Sequence, residues 1–380
     1  RSSRWHHHVC VCGGNMSDLD KHLNIEEDFH GNDRKECRQE RKRAQSADRS
    51  KYKKTDTKKQ ETETYTGNGI PGRVLSLSRA GALVQTKKGE FTCSLRGALK
   101  KEKTLHKNLV VVGDIVYIAP QDDTQATIDH VAPRYSLLSR ADNLRRRQHH
   151  LIAANIDQVF IVTSLFTPRL KPFLIDRYII TAKQGNLDPI VILNKVDLLN
   201  NPPTHLDPDV IREEIELYHA FIKAYSKEVT LIEVSAETGD GLNTIRTKMT
   251  GKSSVFSGQS GVGKTSLINQ LLDLDLEIGD VRHRTRKGTH TTSNASLIPL
   301  KPSGFCIDTP GIKSFGILDL KIADIENYFP EIARLKSSCK FPNCKHHHEP
   351  DCAIKAAVAE GAISTLRYES YITLFTNTET

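Results

Sequence analysis

Residues 189–199 read PIVILNKVDLL: a short apolar run, then Asn194, Lys195, Val196 and Asp197, then two leucines. The β-branched run is too short for a buried helix and predicts a buried strand. The four residues at its end are suited to a guanine base. The Asp197 carboxylate can accept from both N1–H and N2–H₂ of guanine, a paired edge that adenine lacks, and a site built for such a match rejects what cannot make it. Asn194 can reach N7 and a neighbouring loop, and the Lys195 stem can lie across the base. A second strand, TLIEVSA, ends in Ser235 and Ala236 of SAETGDGL, whose backbone can address O6.

No phosphate-binding loop precedes these elements. It follows them, at 258–265, as GQSGVGKT between the strand SSVF and the helix KTSLINQLL. G-x-x-x-x-G-K-[ST] in that context predicts backbone amides forming an anion nest. Gly258, Gly261 and Gly263 permit the tight path. Lys264 is placed for the β- and γ-phosphates and Thr265 for Mg²⁺. Farther on, the strand GFCI leads into DTPG at 308–311, where Asp308 is expected to hold Mg²⁺ and Gly311 to sense the γ-phosphate. Between them, RHRTRKGTHTTSNASL has neither helical nor strand periodicity. A switch loop is expected there, with Thr291 or Thr292 closing over Mg²⁺.

The order is therefore base reader, second base loop, phosphate loop, switch, Mg²⁺ aspartate. The usual order of a GTPase begins with the phosphate loop, so this is a circular permutation. Strands alternating with helices predict a parallel sheet covered on both faces. The permutation also makes the chain leave the domain straight after the switch region.

Ahead of this domain, GRVLSLS, GALVQTKKG, EFTCSL, GDIVYIAP and QATIDHVAP are five short β-like runs. They suit a small closed barrel, an OB-fold by economy, with an SH3-like barrel the alternative. Residues 1–65 lack periodicity and are expected to be disordered. Twelve Lys and Arg face five Asp and Glu over residues 31–60, in a chain of net charge +8. A basic leader on a near-neutral body suits a polyanion such as RNA, or is a solvated tail. The first methionine is Met16, which we expect to be the start, with residues 1–15 as upstream read-through or a cloning remnant; His6, His7 and His8 fall in that piece. No apolar run reaches membrane-spanning length, so the expectation is a soluble protein without a membrane partner.

Behind the permuted domain, CKFPNCKHHHEPDC at 339–352 contains C-x₄-C-x-H-x₅-C if His346 is the histidine used; His347 and His348 are alternatives. Three thiolates and one imidazole fit closed tetrahedral Zn²⁺. Eight cysteines in 380 residues, three of them crowded here, indicate a metal site in a reducing cytosol rather than a disulfide scaffold. The division expected is a leader at 1–65, an OB-fold at 66–135, a permuted P-loop GTPase at 150–318, and a helical zinc-binding domain at 319–380.

Barrel, permuted GTPase and Cys₃His site in this order resemble the bacterial ribosome small-subunit-dependent GTPase A family. That resemblance implies hydrolysis of GTP to GDP, stimulated by the 30S subunit, in late small-subunit maturation. It implies contact with 16S rRNA, a cytoplasmic monomer, GTP contacts at Asn194–Asp197 and along Gly258–Ser266 (Gln259, Ser260, Val262 and Ser266 included), and structural zinc on Cys339, Cys344, His346 and Cys352. It also assigns hydrolysis to His290 in GTHTTS. Ile312 stands after DTPG, where many GTPases carry a water-orienting glutamine, and an apolar side chain cannot orient water. Ser293 replaces a usual third threonine. The competing readings are a permuted GTPase of the large subunit, an RNA-binding scaffold with a vestigial nucleotide site, and an ATP-using P-loop enzyme, the last opposed by Asp197.

Overall fold

The computed structural model describes residues 65, 67–95, 109–141, 149–272, 295–308 and 322–379. The first strands are β1 (Ile70–Ser78), β2 (Gly81–Thr86), β3 (Gly89–Leu95), β4 (Ile115–Pro120) and β5 (Gln125–Val131). They close on themselves in the order β1-β2-β3-β5-β4-β1, with β3 and β5 parallel and the other pairs antiparallel. Alternate residues point inward, as the period of two requires. Val74, Val84, Phe91, Val116, Ile118 and Ile128 fill the interior. This is the expected OB-type barrel, and closure removes its free edges.

One irregularity joins the barrel to the rest. Between Val74 and Ser76, β1 carries one residue more than β2, a β-bulge. The extra residue is Leu75. Val74 is buried inside the barrel, whereas Leu75 is buried in the core of the next domain. A second tie is Asn155, fully buried with φ 56°. Its side chain accepts from the Tyr135 amide at 3.0 Å and donates to the Gly113 carbonyl at 3.2 Å. Its carbonyl accepts from the Tyr135 hydroxyl at 2.8 Å and from the Arg73 guanidinium. The polar residues between barrel and sheet form part of a hairpin, β6 (Leu137–Ala141) and β7 (His149–Ala154).

The remaining strands are β8 (Gln158–Ser164), β9 (Asp188–Asn194), β10 (Thr230–Glu233), β11 (Ser253–Gly258), β12 (Ser296–Pro299) and β13 (Phe305–Asp308). They lie in the order β10-β9-β8-β11-β13-β12, parallel except for β12, which pairs antiparallel with β13 and touches β1 at Ser76–Ser296. All seven residues of β8 and all six of β11 are buried, because both faces are covered. Helices α1 (Pro172–Gln184) and α2 (Pro208–Tyr225) pack on one face through Tyr178, Ile179, Tyr218 and Phe221. Helices α3 (Leu242–Met249) and α4 (Lys264–Leu272) pack on the other through Ile245, Met249, Leu267 and Leu271.

The C-terminal helices α5 (Ile322–Ile325), α6 (Pro330–Leu335), α7 (Ala353–Ala359) and α8 (Thr365–Glu379) enclose a core of Phe329, Ile332, Ile354, Ile363 and Tyr371. Ile180 of α1 belongs to the same core. Beside it, Arg367 of α8 is ion-paired with the fully buried Asp176 of α1 and donates to Glu331 of α6 at 2.7 Å. Tyr225 of α2 donates to the other Asp176 oxygen at 2.6 Å. Burial works against the Arg367 cation, yet the two carboxylates hold its pKa above the usual value. Among the described residues, no helix is long and apolar enough to cross a membrane.

Candidate functional site

Asn194, the last residue of β9, is 1% exposed. Its amide nitrogen donates to the Val262 carbonyl in the phosphate loop at 2.8 Å. Its amide oxygen accepts from the Ala236 backbone at 3.1 Å. One carboxamide therefore joins its own loop to two others that lie 42 and 68 residues from it along the chain. A hydroxyl or an ionised carboxylate offers no such donor–acceptor pair of fixed geometry. Asp197 accepts from the Ser235 hydroxyl at 2.6 Å, so the two base-side loops are tied a second time. Lys195, in the left-handed region at φ 66°, sends its ammonium back to the Gly261 carbonyl at 3.0 Å and to the Thr167 carbonyl. Burial lowers its pKa, against the pull of Asp197.

The phosphate loop runs from the end of β11 into α4. Gly263 has φ 91°, and a Cβ there would stand 2.3 Å from the Asn194 amide nitrogen, so the close approach of the two loops demands glycine. Lys264 donates to the carbonyls of Gly258 and Gln259 at 2.8 and 2.6 Å. Burial pushes its pKa down to about 8. Thr265 and Ser266 follow in the first turn of α4. Asp308 ends β13, which runs parallel beside β11, so its backbone reaches the same end of the sheet. His290, Thr291 and Thr292 lie outside the described residues.

The second cluster is Cys339, Cys344, His346 and Cys352, with all four donor atoms within 4.8 Å of one another. His346 Nδ1 lies 3.5 Å from Cys339 Sγ and 3.4 Å from Cys352 Sγ, and those sulfurs are 3.9 Å apart. A tetrahedral site with metal–sulfur bonds of about 2.3 Å has edges of about 3.8 Å, so the donors fit. Of the three adjacent histidines, His346 is the one placed in the cluster; His347 and His348 stack on each other at 3.6 Å. The loop is held from α8 by Tyr368 and Tyr371, whose hydroxyls donate to the carbonyls of His346 and Lys345 at 2.8 and 3.2 Å. Glu326 lies 3.7 Å from His346 Nε2, the nearest carboxylate to that nitrogen but beyond hydrogen-bond distance.

Sequence reasoning missed the segment 164–170, SLFTPRL, whose Thr167 carbonyl holds Lys195. Its one visible signal was the Thr-Pro step directly after an apolar strand.

The family model for RsgA GTPase matches residues 131–318. A protein of Flavobacterium johnsoniae named small ribosomal subunit biogenesis GTPase RsgA is 34% identical over 315 residues, covering 82% of this chain and 94% of its own. A protein of the same name from Bacteroides fragilis is 33% identical over 312 residues, covering 82% and 97%. Among solved structures, YjeQ from Thermotoga maritima superposes with a TM-score of 0.63 at 29% identity, over 81% of this chain and 98% of that one. YloQ, described as a circularly permuted GTPase, gives 0.62 at 25% identity, over 84% and 98%. Likeness of this depth along 82% of the chain, with the phosphate loop behind the base-side loops rather than ahead of them, places the protein in the RsgA GTPase family, and it is a GTP hydrolase.

Proposed function

We propose that this GTPase binds the small (30S) ribosomal subunit and acts late in its maturation, hydrolysing GTP to GDP and phosphate faster on the subunit than off it. The observation that carries the nucleotide half is the Asn194 carboxamide, which locks the base-side loops to the phosphate loop. The ribosomal half rests on the names of the relatives.

In this reading residues 194–197, with Ser235 and Ala236, take the guanine, and residues 258–266 take the phosphates. Lys264 turns from the Gly258 and Gln259 carbonyls to the β- and γ-phosphates, trading neutral acceptors for charged ones. Thr265 and Asp308, with Thr291 or Thr292, would hold Mg²⁺, which neutralises charge on the phosphates. A water oxygen attacks the γ-phosphorus, the bond from that phosphorus to the β–γ bridging oxygen breaks with its electron pair going to GDP, and the water's protons pass to the phosphate and solvent. His290 orients the water, since Ile312 cannot. Zinc on Cys339, Cys344, His346 and Cys352 holds the C-terminal loop. The working division is leader 1–65, barrel 66–135, GTPase 150–318 and zinc-binding region 319–380. Barrel and zinc-binding region grip 16S rRNA while GTP orders the switch, and the protein works as a cytoplasmic monomer.

The test is GTP turnover with 30S subunits, 50S subunits or neither, for the wild type and His290→Ala. We expect slow turnover alone, acceleration by 30S only, and loss of that acceleration in H290A with nucleotide affinity retained. Equal rates with and without 30S would remove the ribosomal half; acceleration by 50S would reassign it to the large subunit.

A further inference from the structure

Glu214 lies on the buried face of α2 and is fully buried, yet it is a carboxylate. One of its oxygens accepts from Arg169 Nε at 2.5 Å, and the other has no hydrogen-bond partner. The Arg169 side chain is 55% exposed. A buried carboxylate with a half-exposed partner is a poor way to stabilise a helix, because desolvation opposes the pairing; an apolar side chain would serve packing better. What the pair does supply is a fixed position for the chain at Arg169.

That chain is the segment 164–170, between β8 and α1. Leu165, Phe166 and Leu170 are buried in the core, while the peptide between them arches outward. Ser164 Oγ donates to the Pro168 carbonyl at 3.1 Å. Pro168 sits against the phosphate loop, 3.6 Å from where a Cβ on Gly261 would stand. The Thr167 carbonyl takes one N–H of Lys195, whose ammonium also reaches Gly261. The segment thus forms a third wall beside the base-side and phosphate loops, and Lys195 is strung between it and Gly261.

We infer that Arg169 is a positioning residue for the guanine nucleotide: paired with Glu214, it fixes the 164–170 arch so that the Thr167 carbonyl holds Lys195 in place beside the base. This rests on the nucleotide-site reading above. The benefit is preorganisation, because a lysine already held by two carbonyls loses less freedom when the nucleotide arrives. Acting at the base end, the pair should affect GDP and GTP equally.

The experiment measures equilibrium affinity and release rate of fluorescent GDP and GTP analogues on the full chain. The variants are R169Q, R169K, E214Q, K195M and R169Q/K195M, with unfolding midpoints recorded alongside. E214Q takes the charge out of the same tie, leaving Arg169 a neutral acceptor and the more distant Glu213 at 3.5 Å, so it reports even if R169Q folds poorly. R169Q and E214Q are expected to raise Kd roughly tenfold, about the loss of one charge-assisted hydrogen bond, chiefly through faster release and equally for both nucleotides. R169K should recover most of the affinity. R169Q/K195M should bind no more weakly than K195M, since both remove one tie. Unchanged affinity in R169Q and E214Q, or a full multiplication of the two factors in the double variant, overturns the inference. A wild type that binds neither nucleotide overturns the site reading itself, which is a different result.

Discussion

In the proposed nucleotide site Lys264 is the side chain that meets the phosphates, and its surroundings have a measurable consequence. Half-buried, with the neutral Gly258 and Gln259 carbonyls as acceptors, its ammonium is disfavoured, and its pKa falls to about 8. Nucleotide phosphates require the ammonium. Above pH 8 the free protein has lost that proton, so binding must take one up, and affinity falls as pH rises. Between pH 6 and 7 the lysine proton is present in both states, so Lys264 adds no pH dependence there. We therefore expect the Kd for GDP to be flat up to about pH 7.5 and then to climb toward roughly tenfold per pH unit, as for uptake of one proton. Titrations from pH 6.5 to 9.5 check this, with K264M losing both affinity and slope; a level Kd to pH 9.5 would contradict it. The residues around Lys264 were readable in the sequence because each motif specifies a chemistry: carboxamide, carboxylate and lysine at fixed spacing. Arg169 and Glu214 were not, because they stand 45 residues apart and belong to no pattern. Only the fold shows that the helical glutamate faces inward.

At the scale of elements, the five barrel strands were legible because half-buried strands alternate apolar and polar residues. The bulge that sends Leu75 into the neighbouring core was not, since adjacent apolar Val74 and Leu75 read equally well as a strand covered on both faces. The hairpin β6–β7 was hidden by its polar residues. The C-terminal elements behave differently again. Helices α5, α6 and α7 have four, six and seven residues, too short to persist without tertiary support. Part of that support is the Cys₃His loop, whose buried Cys344 and Cys352 belong to the same core as Phe329 and Ile354. Purified protein should contain one equivalent of zinc by elemental analysis. Stripping it with a chelator should release backbone hydrogen-exchange protection across 322–379 while leaving GDP affinity unchanged. Protein that carries no metal as purified, or protection indifferent to chelation, would remove the structural-zinc reading. C352S should reproduce the stripped pattern.

For the molecule as a whole, permutation alone would leave the C-terminal region hanging from the segment after β13. The structure gives it another attachment. Arg367 reaches back 191 residues to Asp176 on α1 and lies 5.0 Å over the ring of Tyr225 from α2 and 4.4 Å over Phe329. Since α1 begins directly after the 164–170 arch, the C-terminal region grips the same helix pair that flanks the third wall of the nucleotide site. Nothing in the sequence announces this. Asp176 in LIDRYII reads as the polar residue of an amphipathic helix, and the face it occupies becomes buried only when α8 covers it. The pair should matter more for attachment than for net stability. R367M strands the fully buried Asp176 carboxylate and unpairs Glu331 beside it, a defect worth about 3–5 kcal/mol, whereas R367M with Asp176→Leu removes the fully buried pair, leaves only the part-exposed Glu331, and should regain most of that loss. Urea unfolding of the two variants measures this. Limited proteolysis separates the consequences: in R367M the region beyond 322 should be cut faster while the barrel and sheet persist, and the double variant should be protected again. If the double variant is as unstable as the single one, the pairing itself rather than the stranded charge holds the region in place, and the buried network contributes net binding energy to the docking of the C-terminal region.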